Sequence, residues 1–342
     1  MNRRLFLLGG AATIAGCGRS AAPVASPPSV PKLTDEEVQR IRTEHTDRQL
    51  HLAELSRFRV EADAIRTSAP PPTDILAFAP ELKPLVKVAL RLHPRFGDEP
   101  NSDRTKFGGR FRWPASEPWP LCDEHRIPFV TVLQLRADDA PPQFPFRSGT
   151  DLLQLLWCPR DHGNATVKPL LVWRKQADLS GPIADPPEPD RAFFNYVPVP
   201  CRVFPERVAE LPPWDAPPKV LRDKLATWTP PQHPDRPNAK ASDYYADLLS
   251  AAAGTKVGGY PRLREGAMAP LCGTCKWGMD YLLTVAATEW SDHDRSRWRP
   301  LEERKQRDVK GYQQAAGLHF GERGAVQVFV CRRCDDWPVK LG

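Results

Sequence analysis

The sequence predicts an α+β fold that is mainly β, built from duplicated β-rich lobes with cysteine knuckles and preceded by an N-terminal helix. Three observations predict it. Proline accounts for 39 of 342 residues. Proline interrupts helices and ladders alike, so short strands with long connections fit, whereas a helical bundle or coiled coil does not. A block of sequence recurs far along the chain, and the cysteines fall in close pairs beside alternating apolar runs. With 41% hydrophobic and 26% charged residues, the chain has the apolar content to bury a core. Its formal charge of +6 is too small to make nucleic acid the expected partner.

The chain opens MNRRLFLLGGAATIAGCGRS. Arg3 and Arg4 form a short basic region, and Leu5 to Ala15 is an apolar run too short to span a bilayer. The run ends Ile14-Ala15-Gly16-Cys17, which resembles the lipobox of bacterial lipoproteins. That resemblance implies a signal peptide over 1–16, a lipid on the Cys17 thiol, and a place in the cell envelope on the periplasmic or extracellular face of a membrane. Arg3-Arg4 before Leu5-Phe6-Leu7 fits a twin-arginine signal as well as a general export signal. Residues 17–33, rich in Ala, Ser and Pro, read as an extended tether.

Thr34-Asp35-Glu36-Glu37 has the form of a capping box, and apolar residues from Val38 to Ile65 follow at partly helical spacing. They predict a helix over 35–67, broken near His45, within an N-terminal helical region 34–72 that Pro70-Pro71-Pro72 closes. A first lobe is expected over 73–204. Its strand candidates are 85–92, 129–135, 152–157, 168–173 and 194–204, with alternation clearest at Val86, Val88, Leu90 and Leu92. Residues 205–242 are crowded with proline and read as an irregular connection. A second lobe is expected over 243–342, with a short helix at 243–252 and strands at 280–287 and 325–331. Residues 290–316 are so charged that a solvated insertion is the simplest expectation.

Thr105-Lys106-Phe107-Gly108-Gly109 recurs as Thr255-Lys256-Val257-Gly258-Gly259, and Pro120-Leu121-Cys122 as Pro270-Leu271-Cys272, each 150 residues on. Further along, Leu156-Trp157-Cys158 matches Phe329-Val330-Cys331 at a spacing of 173, so the second copy carries the charged insertion. Neither Gly-Gly pair is followed by the glycines and helix of a phosphate loop; both read as turns with positive φ.

Of the eight cysteines, Cys17 belongs to the lipid and Cys201 reads as a small buried apolar residue. Cys272-Gly-Thr-Cys275 and Cys331-Arg-Arg-Cys334 are two C-x2-C turns, and two such turns together present four sulfurs to one tetrahedral ion. Four thiolates suit Zn²⁺, which has no redox chemistry and accepts tetrahedral geometry, so a structural zinc is the expected cofactor and the knuckles are zinc-ribbon-like. The repeat register places His125 on Cys275. Cys122, His125, Cys158 and His162 (or Asp161) then form a weaker second metal set. A cross-link between the knuckles is the alternative in an oxidising compartment. A thioredoxin-like C-x-x-C is a third reading, although it should open a helix rather than flank strands.

These residues resemble the YwqG-like family of bacterial proteins of unknown function, distantly related to programmed cell death protein 2. The resemblance rests on Lys106-Phe107-Gly108-Gly109 with Trp113-Pro114 and Trp119-Pro120, on Val132-Leu133-Gln134-Leu135, and on Val257-Gly258-Gly259-Tyr260-Pro261. It continues through Cys272-Gly-Thr-Cys275 to Gly324 and Val328-Phe329-Val330-Cys331, covering roughly residues 75–340. It implies a duplicated β-rich fold, with cysteine knuckles in some members, whose eukaryotic relatives look like binding proteins.

No H-E-x-x-H, G-x-S-x-G or phosphate-loop motif occurs. The function expected is therefore binding: a lipid-anchored interaction protein with structural zinc, contacting a protein partner at a membrane surface. The enzymatic alternative is a metal-dependent hydrolase that uses the Cys122–His162 set.

Overall fold

The computed structural model describes residues 30–61, 64–163, 166–263, 268–321 and 324–342. The expected signal peptide and Cys17 lie outside the described residues. Among those described, no helix is long and apolar enough to cross a membrane.

The fold is α+β, with helix α1 (Asp35–Leu55) and twelve strands in two antiparallel sheets. The strands are β1 (Lys87–Arg91), β2 (Arg95–Phe96), β3 (Lys106–Phe107), β4 (Val130–Arg136), β5 (Leu152–Cys158) and β6 (Lys168–Arg174). They continue with β7 (Cys201–Arg202), β8 (Glu206–Glu210), β9 (Lys256–Gly258), β10 (Asp280–Ala286), β11 (Ala325–Val330) and β12 (Val339–Leu341). One sheet runs β2-β7-β3-β4-β5-β6 and the other β8-β1-β9-β10-β11-β12. The orders match strand for strand, as a duplication requires. Even the irregularity recurs: β4 bulges between Thr131 and Leu133, and β10 between Tyr281 and Leu283.

Chain order and sheet membership are nevertheless crossed. Strands β1 and β8 complete the sheet of the second copy, while β2 and β7 complete that of the first. The pairings Lys87 with Glu210 and Phe96 with Cys201 belong to a single register, so 87–96 and 201–210 form one long antiparallel ladder that passes from sheet to sheet. The passage occurs at Leu92-His93-Pro94, where His93 takes φ 45° and Phe204 N donates to Leu92 O at 2.7 Å.

The ladder exposes a further part of the repeat. Val86, Val88, Arg91, Pro94 and Glu99 correspond to Val197, Val199, Arg202, Pro205 and Glu210, all 111 residues apart. The spacing grows to 150 only after residues 211–254 intervene, so neither the 150 nor the 173 register shows this segment.

Both sheets face one apolar core. Leu133, Leu135, Leu153, Leu155 and Trp157 of the first pack in the same cluster as Leu283, Val285, Val326, Val328 and Val330 of the second. Residues Lys32–Gly342 accordingly form one unit. Alternation along each strand then dictates what faces outward. In β5 the residues between the core positions end in Leu156 and Cys158, and beyond β11 the same parity gives Phe329 and Cys331. Strand parity thus delivers one knuckle cysteine to the outer face of each sheet.

The Gly-Gly turns close around buried ions. Lys106 and Lys256 are fully buried. Lys256 Nζ donates to Glu210 Oε1 (2.6 Å) and Tyr260 O (2.6 Å), and Glu210 Oε2 accepts Tyr260 N at 2.7 Å. Lys106 repeats this with Glu99 Oε1 (2.5 Å) and Arg110 O (2.9 Å). A buried ammonium without such partners would cost several kcal/mol. Glycine is required beside the carboxylate: Gly259 has φ +73°, and a Cβ there would stand 2.2 Å from Glu210 Oε2.

Several expectations are corrected. Helix α1 ends at Leu55 and passes through His45, whose ring meets Phe194 edge-on at 4.8 Å. The capping box is present, with Glu37 N donating to Thr34 Oγ1 (3.2 Å) and Thr34 N to Glu37 Oε2 (2.9 Å). Within 194–204 only Cys201–Arg202 is strand. The proline-rich 205–242 contains strand β8 and the helix Lys219–Ala226. Pro205 precedes an edge strand and Pro218 stands at a helix start, and proline suits both positions. The helix expected at 243–252 begins at Ala241 and passes into π-helical turns over Tyr245–Leu249. The charged 290–316 segment is turned inward: Trp290, Trp298, Asp294, Arg297 and Glu303 are buried. Glu303 accepts Arg95 at 2.7 and 3.0 Å and Arg66 at 2.6 Å, partners too distant in sequence for local charge density to reveal.

Replacing Gly259 by alanine should therefore destabilise the chain by about 3 kcal/mol, combining positive-φ strain with overpacking. Gly149→Ala, at φ +77° but with nothing within 4 Å of the new Cβ, should lose only about 1 kcal/mol. Urea denaturation of both variants checks the difference.

Candidate metal centres

Each knuckle is built the same way. Cys122 N donates to Ile127 O (2.9 Å) and Arg126 N returns to Cys122 O (2.8 Å); in the second copy Cys272 N donates to Trp277 O (2.8 Å) and Lys276 N to Cys272 O (3.1 Å). The turn needs a left-handed residue after the second donor, and Arg126 (φ 57°) and Lys276 (φ 62°) supply it. The facing turn leaves β5 at Cys158 and β11 at Cys331, so that parity and turn bring four donors to one point.

Cys272, Cys275, Cys331 and Cys334 present ligand atoms that all lie within 4.8 Å of one another, and so do Cys122, His125, Cys158 and His162. Either group could hold a metal ion. Cys272 Sγ is 3.9 Å from Cys334 Sγ, Cys275 Sγ is 3.4 Å from Cys331 Sγ, and Cys331 Sγ is 3.8 Å from Cys334 Sγ. A tetrahedron with metal–sulfur bonds of ~2.3 Å has sulfur–sulfur edges of about 3.8 Å. In the first copy His125 Nδ1 lies 3.8 Å from Cys122 Sγ and 3.4 Å from Cys158 Sγ, and His162 Nε2 lies 3.7 Å from Cys122 Sγ. The mixed sulfur–nitrogen edge expected is about 3.6 Å. Donor chemistry and spacing therefore both fit an ion, and the described cysteines are free thiols rather than disulfides.

The choice between Asp161 and His162 is settled by their neighbours. Asp161 is taken by Tyr196, whose hydroxyl donates to it at 2.5 Å, and by Arg40 of α1. His162 turns the other way, with Nδ1 2.9 Å from Glu124 Oε2 and Nε2 toward the sulfurs. A carboxylate on the far nitrogen fixes both ring orientation and tautomer. Glu124 was not among the sequence candidates; its place between two ligands of one knuckle was the available signal.

The electrostatics favour ligation. N–H groups of Cys275 and Thr274 aimed at the Cys272 sulfur bring its thiol down to about 6, near the thiolate form at neutral pH. Desolvation pushes Cys334 up to about 12 and also raises Cys331 and Cys158, so an ion is what would make those thiolates stable. Desolvation, with the charges of His162 and Arg160, lowers His125 and keeps it neutral, the form that donates a lone pair.

The copies differ in their covering. Around Cys122 and Cys158 pack Trp113, Trp119, Phe129 and Leu156, whereas the equivalent cluster around Cys272 and Cys331 has Leu263, Ala269, Met279 and Phe329. Arg160 is held by Glu37 of α1 and lies over Phe193 at 4.4 Å; its counterpart Arg333 lies over the exposed Trp277 at 3.9 Å. No family model matches the chain, and no curated protein matches it in sequence.

Two metal equivalents per chain are expected from elemental analysis. The Cys275→Ser/Cys334→Ser variant should retain one. Glu124→Ala should keep both but weaken the first-copy site about 10- to 100-fold in chelator competition.

Proposed function

We propose that this chain is a zinc-stabilised binding protein held to a membrane of the bacterial envelope by a lipid on Cys17, and that it acts by contacting another protein. The observation that carries the reading is the completeness of the donor sets. Each offers four protein ligands, and a tetrahedral ion so held has no position for a substrate or an activated water. A hydrolase built on the first-copy set would need one of the four withdrawn, and Glu124 instead steers His162 into it. Mixed thiolate and imidazole donors suit zinc better than the oxygen-seeking cations. The YwqG-like resemblance supports a binding role, and the order Arg3-Arg4, apolar run, Ala15-Gly16-Cys17 supports the lipid anchor.

Three measurements test the reading. Stripping the metal with a strong chelator should lower the melting midpoint by about 10 °C or more, because ion binding is folding free energy here; a metal-free protein that melts unchanged would overturn the structural role. His125→Ala should lower stability rather than abolish a hydrolytic activity in an otherwise intact fold. Cys17→Ser should move the chain from the membrane fraction of expressing bacteria into the soluble fraction.

A further inference from the structure

The duplication lets one half of the molecule report on the other. Arg91 and Arg202 occupy equivalent places on the crossing ladder, 111 residues apart. Arg91 is fully buried and its donors are filled: Nε to Ala253 O (3.0 Å), Nη1 to Ser68 Oγ (2.7 Å) and Trp298 O (3.0 Å), Nη2 to Glu289 O (3.2 Å). Its guanidinium also lies 5.3 Å from the centre of the Trp298 ring. Ser68 and Trp298 come from outside the repeat. Their segments hydrogen-bond to each other, Ala69 N to Arg297 O (3.2 Å) and Leu301 N to Thr67 O (2.9 Å), and form a plug over the second copy in which the 67–69 segment runs beside the end of the helical turn Arg295–Trp298.

The first copy has the same recess and, among the described residues, no plug. A cavity of about 510 Å³ is lined by Glu99, Arg104, Thr105, Asp139, Arg202 and Phe204 among others. Four of these match residues of the plugged site: Glu99 matches Glu210, Thr105 matches Thr255, Asp139 matches Glu289 and Phe204 matches His93. Among the described residues, the Arg202 and Arg104 side chains have no hydrogen-bond or ion-pair partner.

We propose that this cavity binds a peptide segment of a partner protein, which presents a main-chain carbonyl or hydroxyl oxygen to Arg202 and an aromatic side chain to the guanidinium and Phe204, as the Ser68 hydroxyl and the Trp298 carbonyl and ring serve Arg91 in cis. The lining favours a peptide over a bare anion. Glu99 is already paired with the buried Lys106, Asp139 offsets one of the two arginines, and Val203, Phe204 and Pro205 supply apolar wall. A dipolar, uncharged backbone with an aromatic side chain satisfies such a mixture of guanidinium and apolar wall, whereas a phosphate or carboxylate would leave the apolar wall bare and meet Asp139 at close range. The proposal deepens the binding-protein reading by naming the surface and the chemistry of the partner.

The test is selection of a random dodecapeptide display library on the full metal-loaded chain, followed by anisotropy titration of the enriched peptides. Aromatic-containing peptides should be enriched, and their affinity should fall at least tenfold in Arg202→Gln but not in Arg307→Gln. The melting midpoint and metal content of Arg202→Gln should match those of the parent, since the side chain holds nothing in the fold; Arg91→Gln should melt lower. Should Arg202→Gln fail to fold, Arg104→Gln repeats the titration. Failure to enrich any peptide, or peptides indifferent to both variants, overturns the proposal. So does inorganic phosphate that binds the parent but not Arg202→Gln and displaces no peptide. Peptides that bind elsewhere with the metal intact would defeat the cavity assignment alone, whereas loss of the metal result would defeat the broader reading.

Discussion

The ladder formed by residues 87–96 and 201–210 is the constraint on which the other contacts depend. Each strand of the pair serves one sheet at its first half and the other sheet at its second, so neither sheet is complete without both segments. Hydrogen bonds continue across the bend, where Leu92 N donates to Thr255 O (2.9 Å) and Phe204 N to Leu92 O (2.7 Å). Glu210 at one end of the ladder and Glu99, three residues beyond the other, are the carboxylates that neutralise the buried lysines of the Gly-Gly turns. Sheet pairing, core closure and charge neutralisation are therefore coupled through one pair of segments. A change to any of them is felt on both sides of the core.

The two groups that could hold a metal ion sit on the outer faces of the sheets, away from the shared core. The shared core consumes the inward residues of every central strand, and the outward residues have only short loops to cover them. In the first copy Trp113 and Trp119 thicken the cover and α1 packs alongside; in the second Leu263 and Ala269 leave Trp277 exposed where the first copy buries Ile127. A four-coordinate ion held there would crosslink strand end to knuckle and substitute for the apolar area that such a cover lacks. Four thiol donors at the thinner cover and a Cys/His mixture at the thicker one agree with that division.

Divergence between the copies followed a single pattern. Additions to the second copy, at 211–254 and around 290–316, fold back over its own recess and saturate Arg91 and Asp294, and Glu303 reaches Arg95 of β2 in the other sheet. The first copy received no such material, and its arginine and cavity are retained. Asymmetry of this kind separates a half specialised for stability from a half that keeps an open polar recess.

Much of this was legible in the residues themselves. Periodicity of two placed β1, β4, β5, β6, β10 and β11 within a residue or two, the Thr34–Glu37 box fixed the start of α1, and the 150-residue register joined His125 to the cysteine set. Those features are local, or are copied by duplication, and so survive in one dimension. Three others needed the tertiary structure. The 111-residue register was hidden because residues 211–254 interrupt it, and its meaning lies in pairing between segments more than a hundred residues apart. The inward turn of 290–316 depended on cations at Arg66, Arg95 and Arg262, which no local charge pattern reveals. The choice of His162 over Asp161 depended on Tyr196, Arg40 and Glu124 competing for the two side chains. Sequence alone determined which residues could ligate, turn or pair; only the folded chain decided which neighbours reached them first, because hydrogen bonding and desolvation act on distance in space.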